Sequence, residues 1–515
     1  MKPDKKVLAI ALDAAEPSLI EKWMDEGILK NLALIRSKGS YGRLSSSAEW
    51  LVGSPWPTFY TGTLPNKHGI YHYLQWRSDK MDYERPNPDW INAVPFWRQL
   101  GKGSRVIAVD MPLAFPPDPF SGIEISGWAS HDRIFPPFSY PPEKIKWVIK
   151  KFGKPPVSDE VGGLQKMSGL KKVKEELIHA AEKETELILE LIRNEKWNLL
   201  LCCLTSPHRG GHKFWDMTNI KGNYSEKDKI LFKNYLRDIY ISCDEAVGEI
   251  IRNAGENVDV LVFSLHGMGV NTTLTDKMLP SMISNILNGK KGSTENGNSG
   301  FVKKIRNFIP LGLRSNLRKL LPVSLQDKMT AYWRMGNKDW SKTKAFNLVA
   351  DLQGYIRINL KGREQKGSVE PGQEYKHLCD RLKDGLLTFN DPETKEPVIK
   401  NIRKKEDLFI KGKGFDNLPD LLVQWKNKPA SSYAKITSEQ FGEVYWPMPG
   451  LNPDGRSGNH RPEGFLLTAG KNIKINSSIQ NKHIIDLAPT IVNLLGAEIP
   501  KGFDGEVIEE IIKRE

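Results

Sequence analysis

Cysteine is scarce. Cys202, Cys203, Cys243 and Cys379 are the only four among 515 residues. Two of them are adjacent inside an apolar run, and no pair has metal-ligand spacing, which excludes a disulfide framework and a cysteine-held metal; buried thiols in a reducing compartment fit instead. Long hydrophobic runs are also missing, and none approaches the length of a membrane span. The opening MKPDKKVLAIALDAAEP has too short an apolar stretch for a secretory leader, and Asp13 and Glu16 follow it at once. It reads as a first strand, and a cytoplasmic location follows by default. Zinc-finger spacing, a basic heptad region, an RNA-binding aromatic signature and internal repeats are absent as well. The net charge of +13 and pI near 9.2 therefore favour a small anionic or phosphorylated ligand over nucleic acid. A homo-oligomer is compatible with this composition.

What is present is an ordinary globular balance, 39% hydrophobic and 27% charged, on a chain long enough for two or three domains. Residues 6–12, 104–109, 197–204, 258–264 and 464–468 read as short buried strands, and 170–194 and 226–254 as helices. The stretch from Asp13 to Lys38 carries apolar residues at helical spacing. TSPHRGGHKFW, after the third strand, reads as a loop. Alternating strands and helices predict an α/β three-layer sandwich with a mostly parallel central sheet. Residues 345–360 and 397–425 predict strands of a smaller α+β insert, giving a core of 1–270, an inserted cap of 271–445 and a core return of 446–515. Residues 302–334 hold eight Lys and Arg against the single acid Asp327, a pattern for a solvated helix, a lid over an anion or a membrane-surface helix.

The stretch LVGSPWPTFYTGTLPNKHGI places Ser54 before Pro55 and Pro57. Proline is tolerated in the first helical turn, so Ser54 reads as an N-cap beside free backbone amides, a setting that suits an alkoxide or a phosphate oxygen. Asp13, His208, His212 and His266 sit just after predicted strands, and His460 just before one. In a doubly wound sheet the C-terminal strand edge gathers such residues. Imidazole and carboxylate are zinc-type ligands. Each histidine alone would more simply be a loop hydrogen-bonder, and His68 in PNKHGI braces its turn.

At these residues the chain resembles the alkaline phosphatase superfamily, in its type I phosphodiesterase and nucleotide pyrophosphatase-like branch. The likeness is carried by LALD at Asp13, WPTFYTGTLPNKHGI, HRGGHKFW, VLVFSLHGMG, GYIRINLKGRE, SGNHRPEGFLLTAG and DLAPTIVNLLG. It implies an alkaline phosphatase-like core, two divalent metal ions, commonly Zn2+, and a Ser or Thr nucleophile hydrolysing a phosphate, phosphodiester, sulfate or phosphonate ester. Carried over, Asp13 and His266 hold one metal with the nucleophile, and His208, His212 and His460 hold the other. The chain has His208 where the family usually has Asp, and Leu265-His266 where it has Asp-His. The Asp13/His266 site is therefore the weaker, with Asp216 as a substitute ligand. Counted back from Thr61-Gly62 without a gap, the nucleophile position falls on Val52; a short indel moves it to Ser54, with Thr58 in reserve. Arg77 and Asn271 are candidate substrate contacts. Two other readings share the scaffold, a phosphometabolite-binding protein without turnover and a phosphotransferase or mutase.

Overall fold

The computed structural model describes residues 5–130, 136–158, 162–289 and 339–513, except 89, 92 and 102, together with the isolated positions 325, 328 and 329. The basic stretch 302–334 thus lies almost wholly outside the described residues. The strand predicted at 6–12 forms as β1 (Val7–Leu12), every residue of it buried. Its side chains alternate between two apolar layers. Leu8, Ile10 and Leu12 join Leu200, Cys202 and Leu204 on one face, while Val7, Ala9 and Ala11 join Leu199, Leu201 and Cys203 on the other. This is the pattern of a parallel strand covered on both sides.

The remaining strands of the sheet are β2 (Gly39–Ser45), β3 (Val106–Val109), β4 (Gly122–Ser126), β5 (Phe138–Tyr140), β6 (Leu199–Leu204), β7 (Asp259–Ser264), β8 (Glu463–Ala469) and β9 (Lys482–His483). Their spatial order is β9-β2-β8-β7-β1-β6-β3-β4-β5. The central run β7-β1-β6-β3-β4 is parallel throughout, and only β5 and β8 run against it.

One face is covered by α1 (Pro17–Asp25), α2 (Lys30–Lys38), α4 (Met167–Asn194) and α6 (Glu226–Ala254). The other is covered by α3 (Pro55–Thr61) and α7 (Leu487–Leu494). The helical stretch before Lys38 is two helices, because Gly27 adopts φ +70° and breaks it.

The predicted loop TSPHRGGHKFW is instead α5 (Ser206–Phe214), with proline in its first turn. Two adjacent glycines weaken a helix by about 1 kcal/mol each, which is why the segment reads as a loop. Their packing explains them. A Cβ at Gly210 would lie 3.0 Å from Ile239 Cδ1, and one at Gly211 would lie 2.6 Å from Met268 Cγ. Glycine lets this helix press against α6 and the strand Gly267–Val270.

A second, antiparallel sheet holds Ala345–Asn347, Gly354–Ile358, Leu421–Trp425 and Ile399–Lys404 in spatial order. The helices Leu279–Asn288 and Gln373–Leu387 pack on it. It meets the sandwich where Tyr71, Leu74 and Trp76 pack against Phe346, Leu348 and Tyr355. Val52 N–H also donates to the Tyr355 hydroxyl at 3.0 Å, and Gln353 Nε2 donates to the Glu49 carbonyl at 3.0 Å. Among the described residues, no helix is long and apolar enough to cross a membrane. All four cysteines are buried and unbridged, and burial pushes the thiols of Cys202 and Cys203 well above their ordinary range.

Candidate metal centre

Three neighbouring strands deliver the site. Asp13 follows β1 and extends the sheet by one bond, its N–H donating to Leu204 O at 3.0 Å. Past β6 the chain turns into α5, whose i,i+4 spacing puts His208 and His212 on one face. His266 lies two residues past β7. His460 sits on the strand Gly458–Arg461, paired opposite Met268. The four rings form one cluster. Centroids lie 4.9 Å apart for His208 and His212, 4.8 Å from each of these to His460, and 4.7 Å from His460 to His266.

Hydrogen bonds fix the tautomers of two rings. His208 Nδ1 is 2.7 Å from Asp13 Oδ2, and His212 Nδ1 is 2.9 Å from the Gly458 carbonyl. Both partners only accept, so both Nδ1 atoms carry the proton and both Nε2 atoms present a lone pair. Those two Nε2 atoms face each other at 3.1 Å. A cation shared by the two lone pairs would satisfy that approach. His460 is 5% exposed, and its Nδ1 has no hydrogen-bond partner among the described residues. Burial holds its pKa well below the ordinary imidazole value, so the ring is in the neutral, ligating form. Ligand atoms of His208, His212 and His460 lie within 4.8 Å of one another. The residues fit a divalent metal.

Asp13 is placed to orient this set. Its Oδ1 accepts from Trp56 Nε1 at 3.0 Å and its Oδ2 holds His208. A carboxylate behind a histidine fixes the ring and raises its basicity. Leu265 turns into the apolar layer, 1% exposed. Asp216 accepts from Thr218 N and Oγ1, closing its own turn. Among the described residues, the three-histidine set is the only group of three or more His, Cys, Asp or Glu with metal-ligand proximity.

Ser54 is the N-cap residue of α3, as its prolines predict, but its side chain does not cap. The hydroxyl, fully buried, is 2.7 Å from Leu51 O and 2.8 Å from Ser47 Oγ. Thr58 Oγ1 reaches the same Ser47 oxygen at 3.3 Å and lies 3.2 Å from His68 Nε2. His68 Nδ1 accepts from Ile70 N at 3.0 Å, so it braces its turn. The turn Ser47–Glu49 packs beside the strand that carries His460. Arg77 is paired with Asp79 and Glu84 and stacks on Trp90. Asn271 donates to Arg456 O and accepts from Thr273 N, tying two loops together. Neither pairing places these two residues in the histidine cluster.

Ser47, Trp56, Asp351 and Arg456 were not singled out from the sequence. Of these only Trp56 lies inside a quoted motif, WPTFYTGTLPNKHGI, and Arg456 falls one residue before SGNHRPEGFLLTAG.

The type I phosphodiesterase / nucleotide pyrophosphatase family profile matches residues 7–443. No curated protein sequence matches. Two similar solved structures are an inactive murine ectonucleotide pyrophosphatase / phosphodiesterase 5 in complex with AMP and the Sinorhizobium meliloti 1021 phosphonoacetate hydrolase in complex with phosphonoformate. The first is 13% identical with TM-score 0.51 and covers 98% of this chain and 100% of its own. The second is 13% identical with TM-score 0.52 and covers 96% of each chain. At this identity the likeness shows the fold, the alkaline phosphatase-like sandwich.

Proposed function

Because the chain belongs to the type I phosphodiesterase / nucleotide pyrophosphatase family, and so to the phosphoester hydrolases, we propose that it hydrolyses a small anionic phosphate mono- or diester with a divalent metal, zinc by donor type, and a serine nucleophile. The observation that carries the metal is the pair of lone-pair-bearing Nε2 atoms of His208 and His212 facing at 3.1 Å, with buried His460 beside them.

His208, His212 and His460 would hold the ion, and Asp13 and Gly458 O set the angle of two of the rings. His266 and Asp13 offer a second, weaker position. The bound ion supplies Lewis acidity for the charge that develops on the ester. Ser54 supplies the nucleophile from its hydroxyl cluster with Ser47, with Thr58 in reserve. Its oxygen bonds to phosphorus, the ester P–O bond breaks, and the serine proton leaves with the alcohol. Water then cleaves the seryl ester and restores the hydroxyl.

A second reading has its own support. With Ser54 fully buried and bonded to Leu51 O and Ser47, the protein would bind a phosphorylated metabolite without turnover. Elemental analysis of purified protein, with turnover of nitrophenyl phosphate mono- and diesters by wild type and Ser54→Ala, separates the two. Bound metal with activity lost in Ser54→Ala supports the hydrolase and its nucleophile. Bound metal without turnover in wild type supports the binding protein. Activity that survives in Ser54→Ala removes Ser54 as nucleophile.

A further inference from the structure

We propose that Gln353 and Tyr355, at the start of the strand Gly354–Ile358, are positioning residues for the serine nucleophile: together they clamp the segment 48–52, whose backbone orients Ser54. This deepens the phosphoester reading and rests on it, with Ser54 as the nucleophile. The segment has no regular structure beyond the single turn Ser47–Glu49, yet it decides where the hydroxyl lies. Leu51 O accepts both the Ser54 N–H at 2.9 Å and the Ser54 hydroxyl at 2.7 Å, and Leu51 N–H in turn donates to Ser47 O at 2.9 Å. A shift of the Leu51 peptide therefore carries Ser54 with it.

The clamp reaches this peptide from both sides. Gln353 Nε2 donates to Ala48 O and, at 3.0 Å, to Glu49 O. Its Oε1 accepts from the Tyr355 hydroxyl at 3.4 Å, and that hydroxyl accepts from Val52 N–H at 3.0 Å. The directions agree with one another. Two carbonyls only accept, which turns the amide nitrogen toward them and leaves the amide oxygen for the tyrosine proton. Burial raises the Tyr355 pKa well above its ordinary value, so that proton is retained. One linked pair of side chains thus holds backbone groups at 48, 49 and 52, on either side of Leu51. Apolar packing closes the contact. Leu352 shares a buried cluster with Ala48 and Val52, and Tyr355 shares one with Leu51 and Tyr71.

Burial separates this clamp from a chance surface contact. Gln353 is 3% exposed and Tyr355 0%, and both are themselves fixed by their own surroundings. Thr275 Oγ1 donates to Gln353 O at 3.0 Å and accepts from Trp425 Nε1 at 3.1 Å, while Tyr355 O accepts from Leu348 N–H at 2.8 Å. Burying polar side chains costs desolvation that apolar ones would avoid, and their hydrogen bonds return direction for that cost. Direction is what a nucleophile needs, since a misplacement of about 1 Å can cost a hundredfold in rate. The bonds of the pair go to backbone and to each other, not to the histidine cluster, so metal binding does not depend on them.

The test compares zinc-loaded full-length wild type with Tyr355→Phe, Gln353→Leu and a control for stability alone, Ile402→Ala. Ile402 is buried on Ile399–Lys404, the strand at the far edge of the same sheet. Turnover of nitrophenyl phosphate mono- and diesters gives kcat and KM, elemental analysis gives zinc content, and amide hydrogen exchange follows Val52 N–H. Tyr355→Phe removes only the acceptor of that N–H. It is expected to speed exchange at Val52 and to lower kcat about ten- to a hundredfold, with KM and zinc content unchanged. Gln353→Leu shows the same split, whereas Ile402→Ala lowers the melting temperature and keeps its kcat. Unchanged exchange at Val52 overturns the proposal, and so does a kcat in Tyr355→Phe equal to or above that of wild type. A kcat loss matched by Ile402→Ala would make the effect general destabilisation and also overturn it. A wild type that cleaves neither ester removes the hydrolase reading and this proposal with it, as does turnover that survives Ser54→Ala for the nucleophile; an active wild type matched by Tyr355→Phe removes this proposal alone.

Discussion

Asp13 holds His208 Nδ1 at 2.7 Å, and what this hold contributes to the proposed centre is measurable. Asp13→Asn keeps the shape but weakens the hold on Nδ1–H and frees the ring to present the wrong nitrogen. Zinc affinity is expected to fall about ten- to a hundredfold, read by competition with a chromophoric chelator. His212→Ala removes a ligand outright and should abolish stoichiometric zinc. His68 carries a different signature. Burial lowers its pKa from 6.5 to about 3. The unfolded chain therefore takes up a proton near 6.5 that the folded protein refuses until about 3. The stability from this group is fully present above 6.5 and is lost as pH falls from 6.5 towards 3. His68→Gln should flatten that acid limb in urea titrations at stepped pH, while the protein stays folded at neutral pH.

At the scale of elements, α5 decides the geometry, because only a helix puts His208 and His212 on one face while Gly210 and Gly211 pass under α6 and Met268. Gly211→Ala would gain helix propensity on a bare scale, yet its Cβ would meet Met268 Cγ at 2.6 Å. The expected result is net destabilisation of about 1–3 kcal/mol, visible as a lower melting temperature and weaker zinc retention. A melting temperature raised by this change would mean that the helix does not pack as described. The same two glycines made this element illegible in the sequence, where they outweigh the helical spacing of the histidines.

For the whole molecule, the parallel core was the most legible part. KVLAIAL, WNLLLCCL and VDVLVFS are apolar on both faces, which only a doubly covered strand requires. The grouping of the four histidines was legible because the segments that carry them follow or flank strands that meet at one sheet edge. The orientation of Ser54 was not, since it depends on Leu51 and Ser47 in a turn without periodicity. The Arg456–Asp351 pair was not legible either, since it joins residues 105 positions apart. Chelation should lower the melting temperature of wild type and leave His212→Ala unmoved, because an ion bound only by the folded state stabilises it by mass action.

The central claim, metal-dependent phosphoester hydrolysis at the His208–His212–His460 centre, is tested most directly by nitrophenyl phosphate ester turnover before chelation, after chelation and after zinc is returned. The account predicts turnover that disappears on chelation, returns with zinc in wild type and stays absent in His212→Ala. Turnover indifferent to chelation, or equal in His212→Ala, would contradict it.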